Sequence, residues 1–100
     1  MTTPDRSALV RRIVVEGVVQ GVGYREFTRR AALRLSVSGW VRNRSDGAVE
    51  ALICGPPVAV EALVAEMRKG PRFALVESLS VIERDETDGG DSTFIIRPTT

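Results

Sequence analysis

The stretch Glu16-Gly17-Val18-Val19-Gln20-Gly21-Val22-Gly23-Tyr24-Arg25 places three glycines within seven residues, just ahead of an arginine. A β-branched run precedes it and a helix-like run follows, so the glycines join a strand to a helix N-terminus. That junction suits an anion. The first N–H groups of a helix lack intrahelical acceptors, and the aligned peptide dipoles put partial positive charge there. Glycines let the loop curl its own N–H groups inward. Arg25 adds a permanent charge and a planar fork of donors matched to phosphoryl oxygens. Spacing alone leaves a plain strand-to-helix turn as an equal reading. Two better-known phosphate loops do not fit. No Lys-Ser/Thr follows the last glycine, as a Walker loop needs, and Gly21-Val22-Gly23 lacks the third glycine and the parallel βαβ setting of a dinucleotide fingerprint.

Composition removes other chemistries. The chain has no histidine, which excludes His-based triads, His acid–base work and His-ligated metals. The single cysteine, Cys54, cannot form an intramolecular disulfide, has no base near it in sequence, and reads as a small buried hydrophobe. Asp85, Glu86, Asp88 and Asp91 lack calcium-loop spacing and read as a solvated turn, so no metal and no cofactor is expected. Net charge is +1, too little for a whole-chain field that would hold nucleic acid or an anionic membrane. Charge is nevertheless uneven: residues 1–44 carry nine arginines against three acids, and residues 45–100 carry five basic against ten acidic side chains. An anion belongs with the first half. No run of about 18 apolar residues spans a bilayer, and the start lacks the apolar stretch of a secretory signal. The expectation is a cytoplasmic monomer with a flexible segment over residues 1–9 and one domain over residues 10–100.

The elements that must position the loop follow from periodicity. Arg11-Arg12-Ile13-Val14-Val15-Glu16 predicts a strand. Tyr24, Phe27, Thr28, Ala31, Ala32 and Leu35 fall on one helical stripe, with Arg25, Glu26, Arg29, Arg30 and Arg34 around the rest. Strand-like runs over residues 39–44 and 48–55 flank Ser45-Asp46-Gly47, a strong hairpin signal. Pro56-Pro57 opens a second helix whose stripe is Val60, Leu63, Val64 and Met67, and Gly70-Pro71 stops it. Strands follow over residues 75–84 and 93–97, separated by an acidic turn over residues 85–92. The order βαββαβ with an added closing strand predicts an α+β fold, a ferredoxin-like α/β sandwich with two helices on one face of an antiparallel sheet. Trp40, Phe27 and Phe94 are expected in the core or on a sheet face.

Three separated blocks carry a family resemblance: Val18 to Arg25 as quoted above, then Gly39-Trp40-Val41-Arg42-Asn43-Arg44-Ser45-Asp46-Gly47-Ala48-Val49-Glu50, then Gly70-Pro71-Arg72. In motif order, spacing and length the chain resembles the acylphosphatases over about residues 11 to 97. Tyr24 stands where that family usually has Phe, a change that keeps the ring. The resemblance implies a small enzyme that hydrolyses the carboxyl-phosphate bond of acyl phosphates without a metal, releasing inorganic phosphate. It further implies that Gln20, Gly21, Val22, Gly23 and Tyr24 cradle the phosphate, that Arg25 binds it, and that Asn43 positions the attacking water. Gly17 and Gly21 would shape the loop.

That chemistry suits a histidine-free chain. A carboxyl pKa of about 4 lets the leaving carboxylate depart without a proton. An amide does not titrate near neutrality, so Asn43 can orient water but cannot act as a general base. Arg29, Arg30 and Arg34 read as an exposed helix face able to steer anions. Two other functions share this element order. RNA recognition would need stacking aromatics on the sheet, and the third strand has none. A non-catalytic or carbamoyl-phosphate-handling anion-binding module is the other alternative.

Overall fold

The computed structural model describes residues 8–84 and 93–100. The acidic turn expected over residues 85–92 lies outside them, as do residues 1–7 of the segment expected to be flexible. Seven elements follow in order: β1 (Leu9–Val18), α1 (Tyr24–Leu35), β2 (Ser38–Asn43), β3 (Val49–Gly55), α2 (Pro57–Lys69), β4 (Leu75–Arg84) and β5 (Phe94–Ile96). They form one five-stranded sheet in the order β4-β1-β3-β2-β5. The first strand is longer than its β-branched centre, because Leu9 already pairs with Gly55 and Val18 with Leu75.

The four long strands are antiparallel to their neighbours, but β5 lies parallel to β2, with Gly39 opposite Phe94 and Val41 opposite Ile96. The sheet is therefore mixed rather than wholly antiparallel. Direction explains it: β4 runs opposite to β2, so a chain that turns back after β4 arrives beside β2 pointing the same way.

Alternation decides the two faces of the sheet. Ile13, Val15, Val41, Val49, Ala51, Ile53 and Phe94 point inward from the sheet and make the core with Tyr24, Ala31, Ala32, Val60, Leu63 and Met67 from the helices above. Both helix stripes thus pack on one face, except that Phe27 of the first stays outside the core. On the other face Trp40 lies between two guanidiniums, Arg42 at 4.7 Å and Arg97 at 5.0 Å from its ring centre. Cys54 falls on that open face too and is half-buried rather than enclosed.

Termination is equally local. Ser36 ends α1 in a left-handed conformation, φ 61°, with its N–H on the Ala32 and Leu33 carbonyls. At the end of α2, Gly70 N–H takes the Glu66 carbonyl at 2.9 Å. Pro71 then has no N–H to offer Met67, and the Tyr24 hydroxyl donates to the Met67 carbonyl instead, at 2.7 Å. Burial pushes the Tyr24 phenol above its ordinary pKa, so it stays a donor throughout the working pH range. One hydrogen bond therefore locks the start of α1 to the end of α2.

Candidate anion-binding and catalytic site

β1 delivers the loop through a bulge. Its register with β4 shifts between Glu16 and Gly17, and Gly17, at φ 130°, passes so close to β4 that a Cβ would lie 2.2 Å from the Leu75 carbonyl oxygen. Val19 then plugs into the core, 1% exposed, which anchors the near end of the loop. Gly21 and Gly23 adopt φ 78° and 81°, yet a Cβ at either would meet nothing within 4 Å. Their backbone shape, not a lack of room, asks for glycine.

Gly23 is the N-cap of α1, and no side chain caps the helix. The first helical bond runs from Phe27 N–H to the Gly23 carbonyl at 3.0 Å, so the N–H groups of Tyr24, Arg25 and Glu26 precede it. Gly21, Gly23, Tyr24 and Arg25 come together around a hollow of about 240 Å³ whose remaining walls are Val19, Glu26 and Ile96. Val22 turns away and lines a neighbouring groove.

Charge pairing on α1 singles out one residue. Arg29 and Arg30 share the Glu26 carboxylate, Arg29 at 2.7 Å and Arg30 at 3.0 Å, and Arg34 pairs with Glu66. The hydrogen bonds from Arg29 and then Arg30 hold the Glu26 carboxyl down at about 2. The acid in the wall of the hollow is thus already neutralised by two cations. Arg25 is half-buried and has no acid partner among the described residues. It is a cation without an acid partner at this end of the helix and lines the hollow beside the first turn. Arg30 and Arg34 are exposed as expected and Arg29 partly so, and all three are tied into ion pairs, which weakens the steering expected of that face.

Gln20 takes a different part from its loop neighbours. Its side-chain amide donates to the Arg44 carbonyl at 2.8 Å and the Ala48 carbonyl at 2.9 Å, both in the β2–β3 hairpin. That hairpin closes as Asp-Gly predicts: Asp46 Oδ1 accepts the Ala48 N–H at 3.0 Å and Gly47 sits at φ 97°. Asn43 ends β2, on the same sheet face as Val41 and opposite Val49. It does not line the 240 Å³ hollow. Its backbone carbonyl accepts the Thr100 N–H at 3.1 Å, while its side-chain oxygen Oδ1 is buried with no hydrogen-bond partner. Gln20 is the bridge: it fastens the loop to the residue that follows Asn43.

An anion can be held here by N–H groups and one guanidinium, and a buried amide oxygen is available to accept a hydrogen bond from a bound water. Sequence reasoning missed two contributors. Ile96 walls the hollow from a three-residue strand whose parallel partner no local pattern reveals, and the hairpin carbonyls that receive Gln20 are backbone atoms with no side-chain signature. Among the described residues no group of three or more His, Cys, Asp or Glu side chains is arranged to hold a metal, and no helix is long and apolar enough to cross a membrane.

Known proteins resemble this chain in sequence and fold. The acylphosphatase family model matches residues 11–96. The chain is 49% identical to an acylphosphatase of Nitrobacter hamburgensis over 90 residues, covering 90% of this chain and 87% of that one. Its fold superposes on the structure of an acylphosphatase from Coxiella burnetii with a TM-score of 0.89 at 34% identity, covering 97% of this chain and all of the other. It also resembles part of full-length HypF, solved in a phosphate- and nucleotide-bound form, at TM-score 0.82 and 26% identity, covering 92% of this chain but 12% of that protein. Both the glycine loop and Asn43 lie inside the matched span, and on that span this chain belongs to the acylphosphatase family of hydrolases.

Proposed function

We propose that the protein hydrolyses acyl phosphates, with Arg25 and the N–H groups of the 20–25 loop holding the phosphoryl group and Asn43 holding the attacking water. Charge building on the phosphoryl oxygens is met by donors already in place, the main way phosphoryl transfer is accelerated. The water proton passes to a phosphoryl oxygen or to solvent, because Asn43 cannot take it. The carboxylate leaves unprotonated. No metal is needed in this scheme, and none of the described residues offers a cluster to hold one. The reading extends to a cytoplasmic monomer that handles small anions rather than nucleic acid, which the +1 net charge and the free Cys54 support.

The observation that carries this proposal is the orphaned Asn43 Oδ1. A domain that only bound phosphate would use Arg25 and the loop, but would gain nothing from burying an acceptor without a donor. The resemblance to a small part of HypF favours one other reading, an anion-binding module that engages carbamoyl phosphate without turning it over. Phosphate release separates them. With chelator present, the protein should release phosphate from acetyl phosphate and leave a phosphate monoester untouched. Equal rates on both, or binding of carbamoyl phosphate with no release from any acyl phosphate, would reject the hydrolase reading.

A further inference from the structure

Phe27 belongs to the apolar stripe of α1, yet it takes no part in the hydrophobic core and is only half-buried. Its ring sits 6.2 Å from that of Tyr24 and lines a groove of about 450 Å³, larger than the hollow beside Arg25. Gly23 and Glu26 stand in the walls of both cavities, so the groove meets the hollow at the first turn of α1.

The groove lining has a definite chemistry. Val22, Phe27, Ala31 and Pro71 make it apolar. The charged residues on its walls cancel: Arg30 is held by Glu26, and Arg34 by Glu66. An extra carboxylate entering here would find its guanidiniums occupied and two acids beside them, whereas an apolar group would leave water for aliphatic and aromatic surface. The space is of the size that small-molecule sites use and exceeds what an acetyl group needs.

We propose that this groove receives the acyl group of the substrate and selects uncharged aromatic or aliphatic acyl phosphates over those that carry a second carboxylate, with Phe27 as the specificity-determining side chain. The proposal rests on the acyl phosphate reading above. It makes two separate demands, one on charge and one on Phe27.

The test uses acetyl, butyryl, succinyl and benzoyl phosphate with the full chain, measuring kcat/KM by phosphate release. Butyryl and succinyl phosphate have four carbons each and differ by a carboxylate, and kcat/KM for succinyl phosphate should be about tenfold lower. Phe27→Ala should lower kcat/KM for benzoyl phosphate about tenfold more than for acetyl phosphate, mostly through KM. Taking the ratio of variant to parent for each substrate cancels differences in leaving-group reactivity. If the alanine variant does not fold, Phe27→Leu keeps apolar bulk, loses the ring and should still penalise benzoyl more than butyryl phosphate. Rates that fall in the same proportion for every substrate, or a preference for succinyl phosphate, overturn the groove assignment and leave the hydrolase standing. Release from none of the four overturns both.

Discussion

The side-chain amide of Gln20 donates to the backbone carbonyl of Ala48 at 2.9 Å, and its second hydrogen goes to Arg44 at 2.8 Å. A residue of the glycine loop is thereby fixed to the two sides of the hairpin that follows Asn43. Without that staple the loop and Asn43, which we propose act on one substrate, would belong to separate segments. Gln20→Ala should cost about 1 to 3 kcal/mol, the range for two hydrogen bonds whose acceptors are left partly desolvated. It should also lower kcat/KM by more than the loss of folded protein explains. Thermal unfolding alongside acyl phosphate hydrolysis checks both, and full activity at a reduced Tm would show that the staple serves the fold alone.

Gly17 and Gly21, the two glycines expected to shape the loop, sit in different surroundings, and alanine should tell them apart. At Gly17 the new methyl would meet the Leu75 carbonyl at 2.2 Å and the Glu77 N–H at 2.8 Å, so β1 and β4 must separate. Gly17→Ala should cost about 3 kcal/mol or more. At Gly21 the methyl meets open space and only the left-handed backbone is strained, about 1 to 2 kcal/mol. Gly21→Ala should fold and bind inorganic phosphate several-fold more weakly. The reverse order of stabilities in a denaturant titration would contradict this account.

Glu50 sets part of the acid stability. Its carboxylate lies 4% exposed on the open sheet face, gripped by Arg12 and by Arg42 at 3.0 Å. Burial by itself would raise its pKa, but the hydrogen bond from Arg42 and the charge of Arg12 outweigh that and hold it below the ordinary glutamate value. A carboxyl lowered by folding contributes stability above its unfolded pKa, and the contribution fades as pH falls through the folded value. Glu50→Gln should therefore cost about 2 to 3 kcal/mol at pH 7, the low end for a buried pair because each guanidinium side chain keeps 29% of its surface in water. The gap between variant and parent should narrow below about pH 4. Equal unfolding midpoints at pH 7 would mean that the two arginines find other partners.

How far the sequence reaches depends on how local the physics is. The hairpin is legible because Asp46 and Gly47 supply the turn themselves, and α1 because its stripe repeats at helical spacing. The loop is legible as a strand-to-helix junction because Gly21 and Gly23 take left-handed backbone angles that glycine accepts without strain. Glu50 is different: it sits at an outward position of an alternating strand, and only the register that sets Arg42 opposite it and brings Arg12 alongside buries it. Tyr24 looks like any aromatic of a helix stripe until Pro71, 47 positions later, leaves the Met67 carbonyl for it to satisfy. Phe27 matches the stripe as well as Tyr24 does, yet the core closes without it. Pairing between distant segments decides each of these cases, and no local pattern encodes it.

Arg25 and Asn43 should separate cleanly by the step each one serves. Arg25 would hold the phosphoryl group in ground and transition states alike, so Arg25→Ala should weaken inorganic phosphate binding and lower turnover together. A charge-assisted contact is worth about 1.5 to 3 kcal/mol, or roughly 10- to 150-fold. Lysine should rescue it poorly, because a point charge does not replace the planar fork. Asn43 would touch the water alone. Asn43→Ala should then cut kcat by about 100-fold while leaving the phosphate Kd within about twofold, since an interaction made only on the way to the transition state appears in the rate. A folding defect could imitate that loss, and the structure supplies the control. Asn43 Oδ1 makes no hydrogen bond to another protein group, so Asn43→Ala removes no internal contact of that oxygen and its unfolding midpoint should stay close to that of the parent. A variant that is as stable as the parent, binds phosphate normally and does not turn over would fix the asparagine to the water. Near-normal turnover in that same folded variant would assign the water to another group.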